Sequence, residues 1–199
     1  RYAGPGSDVR VLGVSIPGAE AAVAASAGHI GLLGTQATVR SGTYRVEVAK
    51  LGPHRLTAVA APVLAPIVEE GWEDTEVARS AVRAYLAQLG DVDTLLLGCT
   101  HFPLLADVFR EQLPAGVTVL DPAPYVADRT EDWLQRHPRF DAPGSGQLRV
   151  LCSGDPARFA EHGARFLGEA LPQVEHVAEV DGRLAHRHPS QRPVGQVVR

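Results

Sequence analysis

Residues Asp93 to Leu105 read Asp-Thr-Leu-Leu-Leu-Gly-Cys-Thr-His-Phe-Pro-Leu-Leu and give the strongest indication of the fold class. Its apolar run ends at Gly98, which is the pattern of a strand covered on both faces of a parallel sheet. Pro103 fits the first turn of a following helix, where its missing N–H costs nothing. Cys99 is therefore predicted at the carboxyl end of a strand, the edge at which open α/β sheets bind ligands.

Strand and helix signals alternate along the chain, which is typical of α/β architecture. Strands are predicted at residues 9–14, 30–33, 94–97, 117–120, 148–151 and 174–180. Helices are predicted at 19–27, from a cap at Asp74 to a stop at Gly90, from Pro103 to Leu113, at 125–134 and at 156–171. The helix capped by Asp74 is expected to bury Val77, Ala81, Val82, Tyr85, Leu86 and Leu89. The order of elements predicts a doubly wound sheet rather than a barrel.

Three side chains with useful chemistry follow the predicted strand. They are the thiol of Cys99, the hydroxyl of Thr100 and the imidazole of His101. The alternative interpretation of Cys99 is a buried structural cysteine, because free cysteine is among the most buried residue types. Thr100 and His101 beside it favour chemistry at this turn.

Other interpretations of the cysteines remain open at this point. Cys99 and His101 supply two metal donors, but no second pair at metal-site spacing follows, so no metal site is predicted. A cysteine hydrolase would pair Cys99 with a distant His54 or His162, since such partners need only be neighbours in space. Cys152 also ends a predicted strand and is therefore a second candidate thiol.

Three separated segments carry a resemblance to a known family. Residues 97–104 read Leu-Gly-Cys-Thr-His-Phe-Pro-Leu, residues 31–44 read Gly-Leu-Leu-Gly-Thr-Gln-Ala-Thr-Val-Arg-Ser-Gly-Thr-Tyr, and residues 66–71 read Pro-Ile-Val-Glu-Glu-Gly. They resemble, respectively, the second cysteine motif, the threonine-rich turn and the Pro-Leu-Val-Glu-Glu-Gly segment of glutamate racemases, members of the aspartate/glutamate racemase superfamily. The three segments also follow one another along this chain in the same order as in the family. The resemblance extends over about residues 1–180.

The resemblance implies two similar doubly wound α/β domains with the active site between them. Residues 14–121 are expected to form the second domain, and residues 1–13 with 122–180 the later pieces of the first. The sequence lacks the family's opening Asp-Ser-Gly turn, its Pro-Tyr-Gly loop and its Cys-Asn-Thr motif, which carries the first catalytic thiol. We therefore expect a carboxyl-terminal portion of a racemase, whose incomplete first domain leaves apolar faces and a sheet edge uncovered.

The resemblance also implies a reaction, the interconversion of L- and D-glutamate without a cofactor, which supplies D-glutamate for peptidoglycan. Inverting a carbon requires a base on one face and an acid on the other, and thiols suit both roles. Cys99 is predicted to be one of the two groups, with His101 exchanging its proton and Glu69 supporting His101. The resemblance implies a Thr-Gly-Asp-like turn at Cys152, so Cys152 is interpreted as structural and not as the second group. The alternative for Glu69 is an ordinary solvated carboxylate near a helix end.

Four residues are predicted from the resemblance to bind the substrate: Thr35, Thr38, Thr100 and His101. Thr35 and Thr38 follow the strand predicted at 30–33, on a turn where their hydroxyl groups face a ligand. The alternative for Thr38, which it shares with Ser41, is to cap the following helix.

Composition limits the partners of the chain. A net charge of −4 argues against a nucleic-acid surface, which needs a concentrated basic face. No apolar run approaches the roughly 20 residues of a spanning helix and no export signal is recognised, so no membrane contact is predicted and the cytoplasm is expected. Residues 181–199 contain four arginines and one aspartate and are predicted to be a disordered basic tail. Glutamate is the predicted partner, and a homodimer stays open.

Two functions from different classes remain. The first is glutamate racemase, and the second is a truncated, non-catalytic α/β binding or regulatory module. Upstream coding sequence with a Cys-Asn-Thr motif would favour the first, and a start immediately before Arg1 would favour the second. Racemases of aspartate or hydantoins form a weaker third interpretation, because residues 31–44 and 97–104 fit glutamate racemases best.

Overall fold

The computed structural model describes residues 11–140, 146–180 and 183–186. The chain divides into two compact units, with the boundary between residues 142 and 143. Both units combine helices with parallel strands, so the predicted α/β class is confirmed.

The first unit contains four strands and seven α-helices within its described residues. The strands are β1 (His29–Gly34), β2 (Arg55–Ala60), β3 (Thr94–Gly98) and β4 (Thr118–Leu120). The helices are α1 (Ser15–Ala25), α2 (Gln36–Ser41), α3 (Thr43–Leu51), α4 (Leu64–Glu69), α5 (Glu76–Leu86), α6 (Ala106–Gln112) and α7 (Ala123–Arg136). A 3-10 turn, Phe102–Leu105, precedes α6, and a second, Pro138–Phe140, follows α7.

The four strands form one parallel sheet in the order β2-β1-β3-β4. From β1 the chain continues to β2 at one edge of the sheet, and from β2 it returns past β1 to β3 on the other side of β1. The direction of the connections therefore changes between β1 and β3. Such a switch point opens a crevice at the carboxyl ends of the strands, where ligands bind in doubly wound folds.

The surroundings of β3 explain why it contains three leucines in a row. Successive side chains of a strand point to opposite faces. Leu95 and Leu97 therefore pack with helices α4, α5 and α6, whereas Leu96 packs with α1 and α3 on the other face. All three leucines are almost completely buried. Helices cover both faces of the sheet, which confirms the doubly wound architecture predicted from the sequence.

Two local predictions for the first unit are wrong. Of the strand predicted at 9–14, residues 9–10 lie outside the described residues, 11–13 form no strand, and α1 begins at Ser15. Val11 is 58% exposed, and among the described residues it pairs with no strand. The cap of α5 is Thr75 and not Asp74, because the Thr75 hydroxyl accepts a hydrogen bond from Ala78 N at 3.3 Å. This placement turns Val77 to solvent and buries Ala78 instead.

The second unit contains β5 (Val150–Cys152), α8 (Pro156–Leu167), β6 (Val174–Val180) and β7 (Arg183–His186). Strands β5 and β6 are parallel, and β6 pairs with β7 in antiparallel fashion. Asp155 caps α8 by accepting hydrogen bonds from Ala157 N and Arg158 N. The helix ends at Leu167, earlier than predicted, because Gly168 adopts a left-handed conformation with φ of 74°.

The predicted disordered tail at 181–199 is therefore wrong for residues 183–186. Their backbone continues the sheet as β7, since an antiparallel neighbour satisfies the N–H and C=O groups along one side of β6. Residues 181–182 and 187–199 lie outside the described part of the chain. In that described part, no helix has the length and apolar character needed to cross a membrane.

Asp93 joins the beginnings of three strands. Its carboxylate accepts hydrogen bonds from Ser26 Oγ at 2.6 Å and from His29 N at 2.9 Å. Its backbone N–H donates to His29 O, and its carbonyl accepts from Thr118 N. Burial by itself would raise the pKa of Asp93, but the hydrogen bonds, led by the one from His29, hold its pKa below the ordinary value.

We expect Asp93→Asn to lower the free energy of unfolding by about 1 kcal/mol at neutral pH, because an amide cannot accept both hydrogen bonds with a full charge. The pKa of Asp93 is lower in the folded state, so its stabilisation is complete above the unfolded pKa and is lost as pH falls through the folded one. Urea unfolding at neutral and at acidic pH should show the difference shrinking. Asp91→Asn is the control, since Asp91 is exposed; equal losses for both variants would contradict the expectation.

Candidate active site

The switch point brings two glycines side by side. Gly34 ends β1, Gly98 ends β3, and the two are partners in the register of the sheet. A Cβ atom on Gly98 would lie 2.7 Å from Leu32 Cδ1 and 3.0 Å from Leu33 O. The leucine methyl can rotate away, but the carbonyl is held in the sheet. The absence of a side chain at Gly98 therefore permits the close approach of the two strands.

The turn after β3 presents residues 99–101 at the edge of the sheet. Phe102 N donates to Cys99 O at 3.1 Å, and Leu104 N donates to His101 O at 3.2 Å. Phe102 and Leu105 are fully buried in the core and thereby hold the turn against the sheet and helices. The predicted helix thus begins as a 3-10 turn and becomes α-helical only at Ala106.

Cys99, His101 and Glu69 form a chain of side-chain contacts. The Cys99 sulfur lies 3.8 Å from His101 Nδ1, and His101 Nε2 lies 3.2 Å from Glu69 Oε1. A carboxylate only accepts hydrogen bonds, so it assigns the proton of a neutral imidazole to Nε2. Nδ1 is then the acceptor that faces the thiol. This arrangement can take a proton from the thiol and stabilise the resulting imidazolium through Glu69.

Glu69 reaches the site through packing on one face of the sheet. It ends α4, whose buried Ile67 and Val68 share a core with Phe102 and Leu105 of the turn after β3. Burying an aliphatic side chain of this size contributes about 1.5–3 kcal/mol. The carboxylate remains 47% exposed, so its contact with His101 adds little to stability by itself. The core therefore positions Glu69, and its hydrogen bond with His101 is a consequence of that packing.

Thr100 adds a second donor at the same imidazole nitrogen. Its hydroxyl oxygen lies 3.4 Å from His101 Nδ1. Thr100 is exposed, whereas the His101 side chain retains 26% exposure. The thiol and the hydroxyl therefore both lie within reach of one nitrogen of a partly covered ring.

Thr35 and Thr38 lie on the β1 side of the switch point. Thr35 caps α2, since its hydroxyl accepts from Thr38 N at 3.2 Å. The two hydroxyl oxygens are 3.0 Å apart, and Thr38 Oγ1 donates to Gly98 O at 3.4 Å. Ser41 instead donates to Thr38 O at the end of the same helix. The cap role that the sequence left between Thr38 and Ser41 therefore belongs to Thr35.

The structure brings together all six residues predicted for the site, namely Cys99, His101, Glu69, Thr100, Thr35 and Thr38. Their roles in catalysis and binding stay predictions. Gly34 and Gly98 were not predicted from the sequence to be parts of the site. The signal was present, because each apolar strand run stops at a glycine immediately before a hydroxyl or thiol residue.

The residues considered for other chemistries have different surroundings. His54 precedes β2 and so lies at the amino-terminal edge of the sheet, opposite to Cys99. His162 belongs to α8 of the second unit. Both cysteines are free thiols, and Cys152 is buried in the second unit, where its sulfur accepts from Gly154 N at 3.3 Å. In the ranges the structure covers, no three His, Cys, Asp or Glu side chains are grouped to hold a metal ion.

Comparison with known proteins gives a consistent result. The family model described as Asp/Glu/Hydantoin racemase matches residues 6–130. The chain is similar to the glutamate racemase of Syntrophus aciditrophicus, with 38% identity over 176 residues that cover 86% of this chain and 65% of that protein. It therefore spans slightly less than two thirds of the length of this relative.

Two solved structures are similar in fold and sequence. Glutamate racemase RacE1 from Bacillus anthracis superposes with a TM-score of 0.78 at 30% identity, covering 89% of this chain and 67% of that one. The glutamate racemase of Thermus thermophilus, solved in complex with β-chloro-D-alanine, gives a TM-score of 0.73 at 37% identity, with coverages of 86% and 64%.

We expect Gly98→Ala to destabilise the first unit by about 1–3 kcal/mol, because the added methyl overpacks against the fixed carbonyl of Leu33. Thermal and urea unfolding measure the loss. Gly13→Ala is the matched control, since Gly13 is exposed and, among the described residues beyond its two chain neighbours, none has an atom within 4 Å of the added methyl. A stable Gly98→Ala protein would show that the strands have room at the switch point.

Proposed function

Because the chain belongs to the Asp/Glu/hydantoin racemase family, we propose that it forms part of a glutamate racemase that interconverts L- and D-glutamate. The observation that carries the proposal is the contact chain from Cys99 through His101 to Glu69 at the switch point of the sheet. It places a thiol with a proton acceptor at the edge where doubly wound folds bind small molecules.

The proposed reaction begins with removal of the α-proton of glutamate by the Cys99 thiolate. In the opposite direction, the Cys99 thiol returns a proton to the same face of the α-carbon. His101 takes up the thiol proton at Nδ1 before the first step, and Glu69 stabilises the charge that then resides on the imidazole ring. Each proton has a named donor and acceptor, and the step needs no electron acceptor.

The substrate is proposed to lie over the crevice between β1 and β3. The Thr100 hydroxyl and the Thr35 hydroxyl face this crevice from its two sides, and His101 lies beside Thr100. The Thr100 hydroxyl can donate to a carboxylate of the amino acid, and the Thr35 hydroxyl, whose hydrogen is donated to Thr38, can accept a hydrogen bond from the ammonium group. The α-carbon is thereby held near the Cys99 sulfur.

Inversion also requires an acid/base group on the opposite face of the α-carbon. Cys99 is the only thiol of the first unit, since the other cysteine of the sequence is Cys152. We propose that the second group comes from the part of the racemase fold that this chain does not match, since the chain covers 65% of the Syntrophus relative. In this proposal, residues 14–121 form the second racemase domain, and residues 1–13 with 122–180 belong to the first.

Four finer expectations accompany this proposal. The product D-glutamate is proposed to supply peptidoglycan synthesis, and the reaction is proposed to take place in the cytoplasm without a cofactor. The homodimer stays a prediction. The alternative of a non-catalytic α/β module is supported by no contact among the described residues, because such a module would not require the Cys99–His101–Glu69 arrangement.

The direct test is exchange of the α-proton of L-glutamate in heavy water. The chain is assayed alone and with an amino-terminal racemase segment that carries the Cys-Asn-Thr motif. Proton NMR measures exchange and circular dichroism measures inversion. We expect exchange and inversion in the combined sample, and loss of inversion in Cys99→Ala because one face then lacks its acid/base group.

L-aspartate is the control substrate, and faster inversion of aspartate than of glutamate would contradict the substrate assignment. A combined sample whose inversion survives Cys99→Ala would contradict the mechanism. Inversion by the chain alone would contradict the proposal that the second acid/base group comes from outside it.

Glu69→Gln tests the support of His101. We expect kcat of the active form to fall by about tenfold or more, because an amide no longer stabilises the protonated imidazole with a full charge. Glu70→Gln is a matched control, since Glu70 is the neighbouring carboxylate and is exposed at the end of α4. Equal kcat values for the two variants would contradict the role of Glu69.

A further inference from the structure

We propose that Thr38 is a positioning residue that holds the Gly98–Cys99 peptide in place, rather than the substrate contact predicted from the sequence. This inference rests on the proposed function only in so far as Cys99 acts as the acid/base group. The contacts of Thr38 that carry the inference are present in the protein before any substrate binds.

The first observation is the hydrogen bond of the Thr38 hydroxyl. Thr38 Oγ1 donates to Gly98 O at 3.4 Å, and this carbonyl belongs to the peptide unit that contains the nitrogen of Cys99. Peptide units are planar, so fixing the carbonyl also fixes the direction in which the chain enters Cys99. Thr38 therefore acts on the backbone immediately before the thiol residue.

The second observation is the packing of the Thr38 side chain. A Cβ atom on Gly34 would lie 3.1 Å from Thr38 Cγ2, and a Cβ atom on Gly98 would lie 3.5 Å from the same methyl group. The methyl group thus occupies the space above both glycines at the ends of β1 and β3. Because neither glycine has a side chain, the switch point has room for this one methyl.

The third observation concerns the hydrogen atoms of the two threonines. Each hydroxyl has a single hydrogen to donate. Because Thr38 donates to Gly98 O, the 3.0 Å contact between the hydroxyl oxygens requires Thr35 to donate to Thr38. The Thr38 hydrogen is then committed within the protein and is not available to a substrate carboxylate. Thr35 thus donates a hydrogen bond to Thr38, and Thr38 donates one to the Gly98 carbonyl.

The position of this peptide matters because the Cys99 contact is long. Cys99 Sγ and His101 Nδ1 are 3.8 Å apart, close to the outer limit for a hydrogen bond to sulfur. A displacement of about 1 Å at a reacting group can cost on the order of a hundredfold in rate. Loss of the Thr38 anchor is therefore expected to separate the thiol from its proton acceptor.

The test is alkylation of Cys99 by iodoacetamide at neutral pH without substrate, with the modified peptide identified by mass spectrometry. Thiolates are the reactive form. Thr38→Val keeps the methyl packing and removes the hydroxyl, so we expect alkylation to slow by about threefold or more. Thr38→Ser keeps the hydroxyl and should restore the parental rate. Thr38→Ala, which removes both groups, should slow alkylation at least as much as valine.

The matched control is Thr130→Val. Thr130 also donates its hydroxyl to a backbone carbonyl, that of Val126 at 2.7 Å, but within α7. The Thr130→Val substitution removes a hydroxyl-to-carbonyl hydrogen bond from the same unit and should leave the rate of Cys99 alkylation unchanged. Circular dichroism of every variant checks that the fold persists.

The kinetic readout separates positioning from substrate contact. For a positioning residue, Thr38→Val lowers kcat of the active form by about tenfold and changes KM by less than about twofold. Unchanged alkylation together with a raised KM would make Thr38 a substrate contact and overturn the proposal. If no form of the protein racemises glutamate, the proposed function fails, while the alkylation of Thr38→Val still decides whether Thr38 positions Cys99.

Discussion

The close approach of β1 and β3 at their carboxyl ends is the constraint on which the site depends. Parallel neighbours in register end at the same edge, so whatever follows Gly34 and Gly98 meets there. Neither residue has a side chain, and the Leu33 carbonyl leaves no room for one at Gly98. The pair thus sets both the width of the crevice and the residues that line it.

The sequence predicted most where one physical signal dominated. The apolar run of β3 was located to within a residue, because burial on both faces leaves few alternatives, and the strand at 174–180 was located as well. It failed where two neighbouring polar residues compete for one role, as Asp74 and Thr75 do for the cap of α5. It also failed at 183–186, where a strand forms because β6 offers a partner and not because of its own pattern.

The site shows the same division between local and distant information. Cys99, Thr100 and His101 are adjacent in the sequence, so their proximity followed from the motif alone. The contact of Glu69 with His101 spans 32 residues and depends on how α4 packs, which no spacing rule provides. The hydrogen bond from Thr38 to Gly98 spans 60 residues and exists only because β1 and β3 are neighbours.

His101 Nδ1 shows how the distant contact with Glu69 changes what the adjacent residues can do. In a neutral ring with its proton on Nε2, Nδ1 has one lone pair in the ring plane. Two donors lie within reach of that lone pair, the Cys99 thiol at 3.8 Å and the Thr100 hydroxyl at 3.4 Å. One lone pair cannot accept both donors in good geometry, so the thiol and the hydroxyl compete for it. A ligand group that takes the Thr100 hydroxyl therefore leaves the imidazole to the thiol, and this coupling follows from three adjacent residues and the carboxylate of Glu69 that fixes the tautomer.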